Sequence, residues 1–310
     1  MRRNPRAGLI AVAVVAAAGI AVPASSSSQA RSGGATASAL IAYSEGAGPT
    51  SVPRLRLLNV DTGAHRPLAA KRFAHNASWS PDGARLVFED YGGQGRQGPQ
   101  LAVVTLRTGS IHTITRSQAL DESPAWSPNG RRIAFSRAPL AGSDDGLWLM
   151  RAHGGGERHL TYNRLGDSCA SWSPDGKRIA FSRYRNRSGG RDLWLMRSDG
   201  RSPHRLVARA ACAAWSPDGT RLAISKLTGG RAVGCGCPVT DLYLARGNGA
   251  EPRLLIRRGG DPTWSPDGSR IVFVRYEGRR SHLWLISSDG SGLRRLTGGN
   301  RSQRAPAWRP

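Results

Sequence analysis

At 310 residues the chain is long enough for two ordinary domains or one closed array of repeats. It carries a net charge of +24 with lysine only at Lys71, Lys177 and Lys226, so arginine supplies nearly all of the excess. Arginine pairs with carboxylate and phosphate through two parallel bonds, which points toward acidic polymers, anionic envelope surfaces or nucleic acid, against a blander reading of solvated outer faces. There is no Gly-x-Ser-x-Gly elbow, no His-Glu-x-x-His, no phosphate loop and no dinucleotide fingerprint, so the common hydrolase, zinc-peptidase and nucleotide-dependent classes have no support.

Arg2, Arg3 and Arg6 lead into an apolar run over residues 7–22, and Val22-Pro23-Ala24 offers small residues for cleavage before Ser25. Residues 1–24 are therefore expected to be a signal peptide, and the mature protein to be secreted or to work in the cell envelope or periplasm. The apolar run is short for a membrane span, so a membrane relation is expected only through an uncleaved anchor. No cysteine precedes Cys169, which excludes a lipid-modified N-terminus. Residues 25–38, rich in Ser, Gly and Ala, are expected to be a disordered leader.

The first ordered element is expected at Leu40-Ile41-Ala42-Tyr43-Ser44-Glu45. It matches the second half of a unit that recurs as Trp79-Ser80-Pro81-Asp82-Gly83, Trp126-Ser127-Pro128-Asn129-Gly130, Trp172-Ser173-Pro174-Asp175-Gly176, Trp215-Ser216-Pro217-Asp218-Gly219 and Trp264-Ser265-Pro266-Asp267-Gly268. A last copy, Pro306-Ala307-Trp308-Arg309-Pro310, has the tryptophan and nothing after it. The tryptophans stand 47, 46, 43, 49 and 44 residues apart, a period typical of propeller blades.

Each unit reads as four short strands. In the copy around Trp172, the first strand ends at the tryptophan and Ser173-Pro174-Asp175-Gly176 reverses the chain. Arg178 to Ser182, Asp192 to Met196 and a strand near His204 to Val207 follow, with period-two alternation and no amphipathic helix. The N-terminal half-unit and the C-terminal half-unit each lack what the other has. Placing both in one sheet closes the ring and gives an all-β, six-bladed propeller of four-stranded blades over residues 39–310. Trp79, Trp126, Trp172, Trp215, Trp264 and Trp308 are then expected to pack between neighbouring blades, not to form ligand platforms.

The run Pro-x-Trp-Ser-Pro-Asp-Gly-x-x-Ile-Ala-Phe followed by Leu-Trp-Leu and Asp-Gly is similar to the propeller repeats of the TolB family, also called PD40 or WD40-like repeats. The resemblance covers about residues 39–310 and is specific for fold. TolB proteins place a smaller α/β domain before the propeller. This chain is expected to have no room for one, so the family's envelope-complex role is not carried over. Similar repeats form the propeller of prolyl-oligopeptidase-like peptidases and the body of some polysaccharide lyases.

Strand direction sorts the connections onto two faces: the repeated turns on one, and the variable loops, where a specific site is expected, on the other. His75, Asp121, Glu122, Asp167 and Asp261 each stand just before a repeat tryptophan and are expected around the channel mouth on the variable face. They either pair with nearby arginines, for which Arg116, Arg164 and Arg258 are candidates, or hold a cation such as calcium. A basic rim is expected from Arg96, Arg185, Arg187, Arg191, Arg231, Arg279 and Arg280. It lacks the aromatic interleaving of a single-strand binder, so no nucleic acid is expected. His159 and His204 occupy similar positions and read as structural.

Cys169 and Cys212 stand three residues before tryptophans of adjacent units, while Cys235 and Cys237 share a long loop. An even count in an exported chain suggests disulfides, with the loop tied to Cys212, Cys169 or both; free thiols and a four-thiolate metal site remain open. No catalytic residue, metal or cofactor is assigned. The expectation is a monomeric, non-catalytic propeller that binds an envelope protein or an anionic polymer. The alternative is a lyase acting on an acidic polysaccharide at the channel mouth.

Overall fold

The repeated turn is built by one set of bonds. In the second blade the Ser80 hydroxyl donates to Asp82 and accepts the Arg85 amide at 2.9 Å, while Asp82 Oδ1 accepts the Ala84 amide at 2.9 Å. The same pattern recurs at Ser173 and Asp175, at Ser216 and Asp218, and at Ser265 and Asp267. A glycine such as Gly176, at φ +68°, closes each turn where a side chain would be strained. The polar groups of the turn are thus satisfied locally, and the flanking residues leave it as paired antiparallel strands.

We describe the protein from a computed structural model covering residues 39–47, 51, 53–68, 72–92, 98–139, 145–186, 190–228, 239–278 and 280–310. The expected signal peptide at 1–24 and leader at 25–38 lie outside the described residues, as do most of the loops between second and third strands. Six four-stranded antiparallel sheets follow, each with its first strand at one edge. Blade 2 runs Ala74–Trp79, Arg85–Asp90, Gln100–Thr105 and Ile111–Thr113, and blade 3 runs Ala119–Trp126, Arg132–Pro139, Gly146–Arg151 and Arg158–His159. The innermost strands of blades 4, 5 and 6 are Asp167–Trp172, Ala210–Trp215 and Gly259–Trp264. Blade 1 is the composite sheet: Ser302–Trp308 pairs with Leu40–Gly46, with Ile41 opposite Trp308 and Glu45 opposite Gln303. The six-bladed ring is closed by the two ends of the repeat array.

Adjacent blades are held by their tryptophans. Trp79 packs with Ala42, Leu55 and Leu57 of blade 1, Trp215 with Leu193 and Leu195 of blade 4, and Trp308 with Val272, Val274 and Leu283 of blade 6. The indole N–H groups of Trp79, Trp172 and Trp264 donate to the carbonyls of Ala307, Ala125 and Ala214 on the preceding innermost strand. The polar edge of each of these rings is therefore satisfied at the joint it fills. Arginines cover the outer faces of the rings: Arg85 over Trp126, Arg178 over Trp215, Arg221 over Trp264, Arg270 over Trp308 and Arg309 over Trp79, at 4.7 to 5.7 Å from the ring centres.

Two predictions follow from these joints. Deleting residues 305–310 from the full chain removes Trp308 and unpairs Leu40–Gly46, so calorimetry is expected to show loss of the single cooperative transition. A deletion variant that melts as sharply and as late as the parent would disprove closure. Trp215→Ala is expected to cost about 3–5 kcal/mol in denaturant unfolding, with the slope unchanged.

The turns add an acid limit. The Ser265 hydroxyl and the Ser269 amide hold the Asp267 carboxyl down at about 2, and the Asp82, Asp175 and Asp218 carboxyls are also depressed, first by their serine hydroxyls. A carboxyl lowered on folding stabilises above its unfolded value near 4, and that contribution is lost as pH falls toward 2. The melting temperature is expected to drop over that interval. Ser265→Ala should flatten the drop while lowering the neutral-pH plateau.

Candidate functional site

All six innermost strands begin at the variable face and line the channel. Each breaks register before its tryptophan, between His75 and Ser78, Glu122 and Ala125, Ser168 and Ser171, Ala210 and Ala213, Gly260 and Thr263, and in blade 1 opposite Ala42 to Ser44. At the bulge Asn76, Ser123, Cys169, Asp261 and Ala305 take positive φ, between +43° and +53°. A bulge re-aims a side chain at the cost of an uncommon backbone conformation for a non-glycine residue. The electrostatic neighbours of Asp261, on blade 6, are His75 of blade 2, Arg191 of blade 4 and Arg304 of blade 1. Only a position facing the central channel sees charges from three other blades.

The most densely bonded group at this end is Glu89, on the second strand of blade 2. The equivalent residues of the other blades are Ser44, Ser136, Ser182, Ser225 and Val274, so a glutamate here departs from the repeat. It is 1% exposed. Its Oε1 accepts Asn76 Nδ2 at 2.6 Å and the Ser123 amide at 2.7 Å; its Oε2 accepts the Tyr91 hydroxyl at 3.2 Å and lies 3.4 Å from His75 Nδ1. Burial acts to raise its carboxyl, but the His75 bond and charge, the Ser123 amide and Asn76 outweigh it and hold the group below its ordinary value. Glu89 thereby ties blade 2 to the bulge of blade 3 and fixes His75.

Glu122 lies beside this cluster under the opposite balance. Burial, and then the charge of Glu89, push its carboxyl up to about 6, and His75 offsets only part of that. Among the described residues no hydrogen bond reaches its carboxylate. Burial likewise raises Asp261 against the pull of His75, Arg191 and Arg304, and its neighbour Tyr276 is pushed up by burial and by the Asp261 charge. Among the described residues the mouth therefore presents two carboxylates that no hydrogen bond reaches, Glu122 and Asp261, one histidine held by a buried glutamate, and Arg191 and Arg304 near Asp261.

The five expected mouth residues do not act as one set. Asp121, fully buried, pairs with Arg137, Nε to Oδ1 at 2.6 Å and Nη2 to Oδ2 at 3.0 Å, and Asp167 makes the same fork with Arg183 at 2.9 and 2.7 Å. These are cross-strand partners in register, so the arginines that neutralise them are not Arg116, Arg164 and Arg258. Asp121 and Asp167 are thus engaged with arginine, and among the described residues no group of three or more His, Cys, Asp or Glu is placed to hold a metal. His75, Glu122 and Asp261 remain at the mouth.

Of the basic rim, Arg185, Arg191 and Arg280 are described; Arg96, Arg187, Arg231 and Arg279 lie outside the described residues. Arg191 stacks on the Tyr184 ring at 4.0 Å and bonds its hydroxyl, Arg185 lies 3.8 Å from Asp192, and Arg280 is exposed. Cys169 and Cys212 form a disulfide between the innermost strands of blades 4 and 5. Neither is tied to the long loop or open to a metal, because equivalent positions of adjacent strands bring the two Cα atoms within 5.4 Å. Cys235 and Cys237 lie outside the described residues. His159 stacks between Trp148 and Tyr162, at 3.7 and 4.4 Å, and is a packing residue; His204 is exposed, its ring nitrogen on the Ser202 carbonyl.

Glu89 is the site residue that a reading of the charged positions before each tryptophan misses. Its signal lies in the repeat itself, where a serine or valine position carries a carboxylate.

The family model described as the TolB beta propeller domain, PD40, matches residues 38–310. The Tol-Pal system protein TolB of Francisella tularensis subsp. mediasiatica is 28% identical over 88 residues, a stretch that is 28% of this chain and 19% of that protein. The chain thus matches only about a fifth of the length of that curated relative. Among solved structures, TolB from Acinetobacter baumannii superposes with a TM-score of 0.74 at 22% identity, over 88% of this chain and 67% of its own. An oligogalacturonate lyase from Vibrio parahaemolyticus superposes with a TM-score of 0.52 at 15% identity, over 75% of this chain and 71% of its own. Likeness at these identities extends to the fold, and the match across the whole repeat region decides the family: the chain belongs to the TolB β-propeller family.

Proposed function

We propose that this protein is an exported, non-catalytic, monomeric propeller that holds a protein partner of the cell envelope at its channel mouth. The observation that carries this reading is the mixed charge there: Glu122 and Asp261, whose carboxylates meet no hydrogen bond among the described residues, both lie near His75, and Asp261 also near Arg191 and Arg304. A uniformly anionic polymer would meet both carboxylates at the opening, Glu122 and Asp261. A polypeptide end or loop offers donors and acceptors together and so matches a surface of both signs. The resemblance to Tol-Pal system TolB supports an envelope setting, and the positive, apolar and small-residue segments of residues 1–24 support export.

Binding of envelope proteins by the immobilised chain is expected to fall about tenfold in Asp261→Asn and in His75→Ala. It should weaken with rising salt. Equal capture by parent and variants would refute the mouth as the binding site. Export predicts a mature N-terminus at Ser25, read by mass spectrometry of the secreted protein. A lyase remains the second reading, favoured by the His75–Glu89 pair as a possible base. Incubation with uronate polymer and a divalent cation, followed for new ultraviolet absorbance, decides it.

The raised Glu122 carboxyl makes a stability prediction independent of the partner. A carboxyl raised on folding costs stability above its folded value near 6, and the cost disappears as pH falls through 6 toward its unfolded value near 4.5. Glu122→Gln is therefore expected to stabilise by about 1–2 kcal/mol at pH near 8 and by nothing measurable near pH 4. The pH dependence of denaturant midpoints for parent and variant checks this.

A further inference from the structure

On the opposite face, where the repeated turns lie, blade 3 differs from the other blades in a coordinated way. In blades 2, 4, 5 and 6 the first turn carries Asp82, Asp175, Asp218 or Asp267; in blade 3 that position is Asn129. The Asn129 side-chain oxygen still accepts the Ser127 hydroxyl at 2.8 Å and the Arg131 amide at 3.1 Å. The turn is preserved and its charge is gone. In the second turn, Asp61, Asp199 and Asp289 of blades 1, 4 and 6 correspond to His153. Blade 3 is thus the one blade with both turns complete and no acid in either.

Arginines gather where the acids are missing. Arg131, Arg132, Arg151 and His153 of blade 3 and Arg85 of blade 2 line an open groove of about 600 Å³. Arg85 is held over the Trp126 ring at 5.0 Å, and its contact with Asp82, at 3.8 Å, is loose. Arg132 differs from its equivalents Arg85, Arg178, Arg221 and Arg270, which all stack on the next tryptophan: among the described residues it stacks on no ring, and it lies between this groove and a smaller cleft lined by Trp172 and Asp199. Glu157, which follows the groove residue Gly156, is bonded to Arg137. Among the described residues no ion pair reaches Arg131, Arg132 or Arg151. In blades 4 and 5, by contrast, the residues equivalent to Arg151 are paired, Arg197 with Asp199 and Arg246 with Glu251. A Cβ at Gly156 would stand 3.3 Å from Arg151 Nε, so this glycine leaves room for the guanidinium.

We propose that this groove binds a phosphate dianion, either a soluble phosphorylated compound or a lipid headgroup, on the face opposite the channel mouth. Several guanidinium forks converging without an acid suit a multiply charged tetrahedral anion, because each fork can take two of its oxygens. A single carboxylate would satisfy only one of them.

The test uses the full chain and pyrophosphate, titrated calorimetrically at about 50 mM salt. Saturable binding at one site per chain is expected. Asn129→Asp, which restores the residue of four other blades, should weaken it about tenfold, as should Arg151→Ala. Lys177→Ala, at the position of blade 4 equivalent to Arg131, changes the net charge as much as Asn129→Asp does and should alter binding less than about twofold. Should Asn129→Asp lose the parent circular dichroism, His153→Asp and Arg151→Ala carry the comparison. Co-sedimentation with phosphatidic acid vesicles but not phosphatidylcholine vesicles, lost in the same variants, would place the phosphate in a lipid. Pyrophosphate binding alone would place it in solution. Absence of saturable binding to both probes, or equal weakening in Lys177→Ala, overturns the proposal.

Discussion

The structure depends on each blade completing the core of the one before it. A four-stranded antiparallel sheet has two faces to cover, and here the indole at the end of one innermost strand fills the space beside the preceding sheet, as Trp79 does against Leu55 and Leu57. No blade is self-sufficient under this arrangement. The chain must therefore either cap its first and last units or join them. It joins them, by setting Trp308 opposite Ile41 in one sheet. That closure also makes a channel, and so brings residues from blades 1, 2, 4 and 6 within electrostatic range of one carboxylate, Asp261.

The large positive charge takes on a different meaning once these contacts are known. Five arginines cover the repeat tryptophans, and Arg137, Arg183 and Arg275 lie over Trp148, Trp194 and Trp284 of the third strands. Arginine in this chain is in large part packing material, chosen for a flat, weakly hydrated cation that stacks on rings. Net charge alone is then a poor guide to an anionic partner. What discriminates is which arginines have neither a ring nor a carboxylate, and among the described residues Arg132 and Arg151 of the blade 3 groove differ from their arginine equivalents in that respect.

Much of the architecture was legible because its causes are local. The turn serine, proline, aspartate and glycine act within six residues of one another, and the complementary half-units at the two ends announce closure. The pairings were less legible. Asp121 and Asp167 meet Arg137 and Arg183 through strand register, which a list of nearby arginines does not supply. The bulges three residues before the tryptophans shift that register and decide which side chains reach the channel, yet nothing in Ser123, Cys169 or Ala305 as residue types announces positive φ. The Cys169–Cys212 bond follows from adjacency of equivalent strand positions, whereas an even cysteine count with Cys235 and Cys237 in one loop favours bonds to that loop. Glu89 was visible as a misfit in the repeat. It lies on the second strand of its blade, away from the charged positions that precede each tryptophan.

The misfits are the more general guide. Where a position is filled by the same residue in most blades, its role is set by the blade, and the repeat supplies its own control. Ser44, Ser136, Ser182 and Ser225 are one such set, and Glu89 breaks it with a buried carboxylate that four neighbours stabilise or orient. Asn129 breaks another set while its side-chain oxygen keeps both bonds that the aspartates accept, from the serine hydroxyl and from the amide two residues on, so the altered charge is what distinguishes it. One departure lies at the channel mouth and the other on the turn face, and both involve blades 2 and 3. Val274 of blade 6 departs from the same serine set with an apolar side chain, so a departure is not by itself a signal; Glu89 and Asn129 stand out because each changes the charge at a position that keeps its local hydrogen bonds.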